Sequence, residues 1–87
     1  MERHLVIKNR LGLHARAAAK MVQLSNEFSS DLVIRFDHQE IDGKSILNIL
    51  TLACPVGSQI VLRAEGSDAE RLLEAMQRLI DDKFGEE

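Results

Sequence analysis

The run Gly12-Leu13-His14-Ala15-Arg16 sets a histidine and an arginine two residues apart, just after a glycine and just before a stretch of helical periodicity. A histidine at a helix start lies beside unpaired backbone N–H groups and the positive end of the helix dipole, which together form a ready seat for an anion. Neutral imidazole is a nucleophile. With an ordinary pKa near ~6.5, an exposed histidine is mostly neutral at cytoplasmic pH and needs no separate base. Arg16 adds a planar fork of donors that stays charged, well matched to phosphate oxygens. The chemistry this spacing permits is capture of a phosphate on His14, held by Arg16 and the helix start. A polar loop histidine beside a solvated arginine would leave the same pattern, so the spacing alone does not decide between them.

The other reactive residue types carry less. Ser45 precedes the apolar run Ile46-Leu47-Asn48-Ile49-Leu50-Thr51-Leu52, where capping the helix N–H groups is enough to explain it. Cys54 is the only cysteine, so no intrachain disulfide can form and a structural zinc site would lack its usual thiolates. It reads as a small buried residue in a reducing compartment. His4 and His38 share no metal-ligand spacing with His14, and neither a metal nor a cofactor is expected.

The elements that must position these residues follow from periodicity. Leu5-Val6-Ile7 reads as a strand ending near Lys8, and Asn9-Arg10-Leu11-Gly12 breaks it. Ala17, Met21, Leu24 and Phe28, flanked by Ala18 and Val22, recur at helical spacing and predict a helix from about Ala15 to Asn26. Leu32, Ile34 and Phe36 alternate with Val33, Arg35 and Asp37, the period of a strand with one face on a core. A short return around Glu40-Ile41 precedes the turn Asp42-Gly43. Ile46–Leu52 predicts a short helix, and Ile60, Leu62 and Ala64 predict a further strand ended by Gly66. Ser67-Asp68-Ala69-Glu70 has capping-box spacing ahead of the stripe Leu72, Leu73, Met76, Leu79 and Ile80. This order predicts an α+β fold in one domain, residues 1–87, with a mostly antiparallel sheet and helices on one face.

Composition narrows the function classes. The formal charge of −3, with both signs mixed along the chain, offers no basic stripe for a nucleic-acid backbone. Phe28, Phe36 and Phe84 are the only aromatic residues, so no Trp or Tyr is present to stack on bases or sugars. No run approaches the roughly 20 apolar residues of a membrane span, and a cytoplasmic location is expected.

Three separated stretches then carry a resemblance. Gly-Leu-His-Ala-Arg at residues 12 to 16, Gly43-Lys44-Ser45-Ile46-Leu47 and Ala64-Glu65-Gly66 resemble the histidine-containing phosphocarrier family (HPr) of the sugar phosphotransferase system, or its nitrogen-branch relatives, over nearly the whole chain. The resemblance implies an open-faced β-sandwich with a four-stranded antiparallel sheet and three helices on one face. It implies a monomeric carrier, not an enzyme. His14 would take a phosphoryl group from Enzyme I, itself charged by phosphoenolpyruvate, and donate it to the A component of an Enzyme II. Arg16 matches the family's phosphate-holding arginine. Ser45 matches a second phosphorylation position, which a serine kinase and phosphorylase act on in some members. Ile46, Leu47 and Leu50 match an exposed apolar docking patch, with Ile49 and Leu52 facing the core. Many members have proline where this chain has Ala17. That change predicts an extra backbone donor near the phosphate and a freer Arg16.

Two other readings stay open. Ala17-Ala18-Ala19 leans toward the nitrogen branch, in which the carrier regulates targets by binding them, whereas Gly43-Lys44-Ser45-Ile46 leans toward control by a serine kinase. Small α+β domains of similar element order also sense metabolites, and a sensing domain would take no phosphate on His14.

Overall fold

Alternation along the strands decides which side of the sheet is inside. The computed structural model describes residues 1–86. In chain order it contains β1 (Glu2–Val6), α1 (Ala15–Ser25), β2 (Asp31–Phe36), β3 (Gln39–Asp42), α2 (Ile46–Leu52), β4 (Gln59–Glu65), α3 (Ala69–Asp81) and a single 3-10 turn at Lys83–Gly85. The strands lie in the order β1-β4-β2-β3, every neighbour antiparallel. Their register sets Leu5 opposite Ile60, Leu32 opposite Ala64 and Ile34 opposite Leu62, so the alternating apolar residues fall on one face.

The three helices close that face. Ala17, Ala18 and Met21 of α1, Ile49 and Leu52 of α2, and Leu72, Leu73, Met76 and Ile80 of α3 share one buried cluster with the strand residues. Each buried Leu or Ile contributes about 1.5–3 kcal/mol. The other face carries Arg35, Glu40 and Arg63, an exposed charge group worth under about 1 kcal/mol per pair. The architecture is thus the α+β open-faced sandwich that the sequence implies.

The edges of the elements differ from expectation in instructive ways. β1 begins at Glu2, earlier than the apolar run, because residues 2–6 pair with Arg63–Gln59 of β4 regardless of side-chain hydropathy. Ile7 leaves the ladder yet stays buried, its N–H donating to the Ser58 carbonyl at 2.9 Å. The capping box ahead of α3 does not form. Asp68 is the N-cap and makes no side-chain bond to its own helix. Its carboxylate instead accepts from Ser29 N–H and Ser30 N–H, each at 2.9 Å, and from both hydroxyls. A tertiary brace with several donors outweighs a local cap with one. Those bonds, the Ser30 hydroxyl foremost, pull the Asp68 carboxyl down to about 2.

Among the described residues, no helix is long and apolar enough to cross a membrane.

Candidate functional site around His14

The loop from Asn9 to Leu13 is shaped by what it packs on. Gly12 sits at φ 71, and a Cβ there would come within 2.4 Å of the Cys54 carbonyl oxygen, so glycine is required on both counts. Leu13 N–H donates to that same carbonyl at 2.9 Å and the Leu13 side chain is buried, which pins the loop to the turn after α2. His14 follows as the N-cap of α1 in an extended conformation. Its carbonyl accepts from Ala18 N–H at 2.9 Å, and its Nδ1 accepts from Arg16 N–H at 3.2 Å. Histidine here does what serine or asparagine does at an ordinary N-cap. The imidazole is thereby held against the first turn of the helix.

A shallow cavity of about 360 Å³ opens in front of this turn, lined by Arg10, Leu11, His14, Arg16 and Glu86. The structure therefore brings the two sequence-derived residues, His14 and Arg16, to one cavity. It adds Arg10, a second guanidinium that the spacing argument did not single out. Among the described residues, Arg16 takes part in no ion pair. Ala17 is fully buried in α1, and its N–H takes no partner among the described residues.

Glu86 is the residue that sequence reasoning missed. Past α3 the chain turns back through the 3-10 turn, buries Phe84 and lays Glu86 against His14, with Oε2 in contact with Nε2. Asn9 Nδ2 donates both to the Gly12 carbonyl at 2.7 Å and to Glu86 Oε1 at 3.1 Å. Partial burial would raise the Glu86 carboxyl. The bonds from His14 and Asn9, with the charges of His14 and Lys20, outweigh that and hold it below its ordinary 4.5. No local sequence signal marks Glu86, since it lies 72 residues from His14.

The remaining candidates lie on α2, which packs against α1. Ser45 is its N-cap, with Oγ accepting from Asn48 N–H at 3.3 Å. Ile46 and Leu47 are exposed, Leu47 by 76%, while Ile49 and Leu52 are buried. Leu50 differs from its two companions: it is half-buried and packs on the core cluster. None of these lines the His14 cavity. Cys54 is buried, and burial together with the Asp37 charge pushes its thiol up to about 11, so it stays protonated and inert.

Comparison with known proteins points to a single family. The family model for the PTS HPr component phosphorylation site matches residues 1–82. The phosphocarrier protein HPr of Cupriavidus necator is 38% identical over 86 residues, covering 99% of this chain and 97% of that protein. The phosphocarrier protein NPr of Shewanella violacea is 40% identical, with 99% and 94% covered. The crystal structure of HPr-C-His from Thermoanaerobacter tengcongensis superposes with a TM-score of 0.96 at 42% identity, covering 100% of this chain and 98% of that one.

Proposed function

The chain belongs to the HPr family of phosphocarrier proteins, carriers and not catalysts, and from that premise we propose that His14 takes a phosphoryl group from Enzyme I and passes it to an Enzyme II component in the cytoplasm. The observation that carries this reading is the histidine N-cap. Nδ1 accepts from Arg16 N–H, so it bears the lone pair and faces the start of α1. In the forward step that lone pair forms the N–P bond while the donor's bond to phosphorus breaks and its electron pair stays with the donor. The bond from Arg16 N–H to Nδ1 gives way, and this N–H, the N–H of Ala17 and the guanidinium of Arg16 turn to the phosphate oxygens. The second transfer reverses these events toward the acceptor.

Mass spectrometry of the intact protein after incubation with phosphoenolpyruvate and Enzyme I tests the proposal. The wild type should gain one acid-labile, base-stable phosphate and His14→Ala none. A phosphate retained in His14→Ala, or none on the wild type with a competent Enzyme I, would overturn it.

Ser45 is the proposed second phosphorylation position. A phosphate there suits a helix N-terminus, so its effect falls on docking: a dianion beside Ile46 and Leu47 repels an acidic partner surface. Ser45→Asp should slow transfer from Enzyme I. A second reading, regulation through the nitrogen branch, is favoured by Ala17-Ala18-Ala19 and by the NPr relative. The same mass measurement with a nitrogen-branch Enzyme I separates the two.

A further inference from the structure

We propose that Glu86, clamped by Asn9, is a positioning residue for His14: it holds the imidazole proton on Nε2 and thereby keeps the Nδ1 lone pair at the start of α1. The proposal deepens the phosphocarrier reading and rests on it.

The two contacts of the ring have opposite sense. A backbone donor, Arg16 N–H, points at Nδ1, and a carboxylate acceptor, Glu86 Oε2, meets Nε2. A proton on Nδ1 would set two donors against each other and leave the carboxylate facing a lone pair. The complementary arrangement is the neutral tautomer with Nε2–H donating to Glu86. Carboxylates fix the tautomer of catalytic histidines in hydrolytic triads by the same logic. As the N–P bond forms at Nδ1 the ring becomes cationic, and the carboxylate on the opposite nitrogen balances that charge. When the phosphoryl group departs, its electron pair stays on Nδ1 as the lone pair, and the Nε2 proton has not moved.

The delivery of Glu86 is specifically built. After α3 the chain passes through Lys83 at φ 55 and Phe84 at φ 58, two successive non-glycine residues in the left-handed region. Such residues persist only where the surroundings over-determine them. Three anchors do so here: Phe84 is buried in the core cluster, Lys20 Nζ of α1 donates to the Phe84 carbonyl, and Asn9 Nδ2 donates to Glu86. Asn9 is itself fully buried, and its Oδ1 has no partner among the described residues. A buried amide with an unmet acceptor lowers stability, so packing does not explain it. What the amide provides is a donor shared between the Gly12 turn and the Glu86 carboxylate.

Nitrogen-15 NMR of the His14 ring at pH 8, with no partner protein present, reads the tautomer directly. The wild type should give a single Nε2–H form with a ring proton protected from solvent exchange. Glu86→Ala should lose that protection and accept phosphate from Enzyme I about tenfold more slowly, the low end of what losing an outer partner does to a functional histidine. Glu86→Gln keeps an acceptor oxygen and should restore the protected form. Asn9→Ala should weaken protection in the same direction, and an unchanged ring proton in it removes Asn9 from the proposal. Glu86→Ala with wild-type protection, or with lost protection and an unchanged transfer rate, overturns the proposal. Failure of the phosphocarrier reading itself would look different: no chain would carry phosphate on His14, whatever its tautomer.

Discussion

The starts of α1 and α2 are built alike at the backbone and differ in what surrounds them. Each has a residue of extended backbone at the N-cap, His14 or Ser45, whose side chain accepts a bond from an N–H of its own helix. Around His14, two arginines line a cavity and a carboxylate from the far end of the sequence meets the ring. Around Ser45 the adjacent cation is committed elsewhere, since Lys44 Nζ donates to the Phe28 carbonyl at 2.9 Å, and the neighbouring exposed side chains are Ile46 and Leu47. α2 is also only 7 residues long against 11 for α1. A cap is a local device, and what would make one a phosphoryl site is the charge that tertiary structure brings to it.

The contrast can be broken most forcefully at Phe84. Phe84→Ala removes a fully buried aromatic side chain and should lower stability by about 3 kcal/mol in urea unfolding. The same change should release Glu86 from His14 and leave the Asn48 amide resonance, reporter of the Ser45 cap, where it is. Next comes the pair of cations. Arg16→Ala should slow phosphoryl acceptance about 10²-fold, as losing one charge-stabilising donor does, whereas Lys44→Ala should leave the rate within about twofold, both read by rapid quench. Equal losses would erase the distinction between the two helix starts.

A smaller effect tests the extra donor at α1. Ala17→Pro deletes the N–H left free at the helix start, and phosphorylated Ala17→Pro should hydrolyse about fivefold faster than phosphorylated wild type, equivalent to about 1 kcal/mol. Equal half-lives would sink the donor idea. The smallest effect concerns pH. Because the folded protein holds the Glu86 carboxyl below its ordinary 4.5, its contribution is present above that pH and is lost as pH falls through the lowered value. The stability gap between wild type and Glu86→Gln, followed by unfolding from about pH 5 to about pH 3, should close as pH falls. A gap that persists at pH 3 would detach Glu86's charge from its role.

Most of the framework was legible in the order of residues because its signals are local. The alternation of Leu32 and Ile34 and of Ile60, Leu62 and Ala64 marked two strands and their buried face, and Ser45 marked the start of α2. The legible part of the site was likewise local: His14 and Arg16 are two residues apart, and a helix start orients both. Reading failed where a distant partner won. Asp68 turned from its own helix to Ser29 and Ser30, 39 and 38 residues away, because those donors together outweigh one capping bond. Leu50, matched to an exposed patch, half-buries because its side of α2 leans on the core.

The sequence by itself therefore determined a histidine at a helix start, an arginine two residues on and the sheet that carries both, since periodicity and capping act within a few residues. Only the tertiary structure decided which groups face the two ring nitrogens. Glu86 reaches His14 through a left-handed turn, a buried Phe84, a Lys20 bond and the Asn9 amide, contacts that join residues from both ends of the chain. No spacing rule spans that separation, because such contacts exist only once the helices have packed on the sheet.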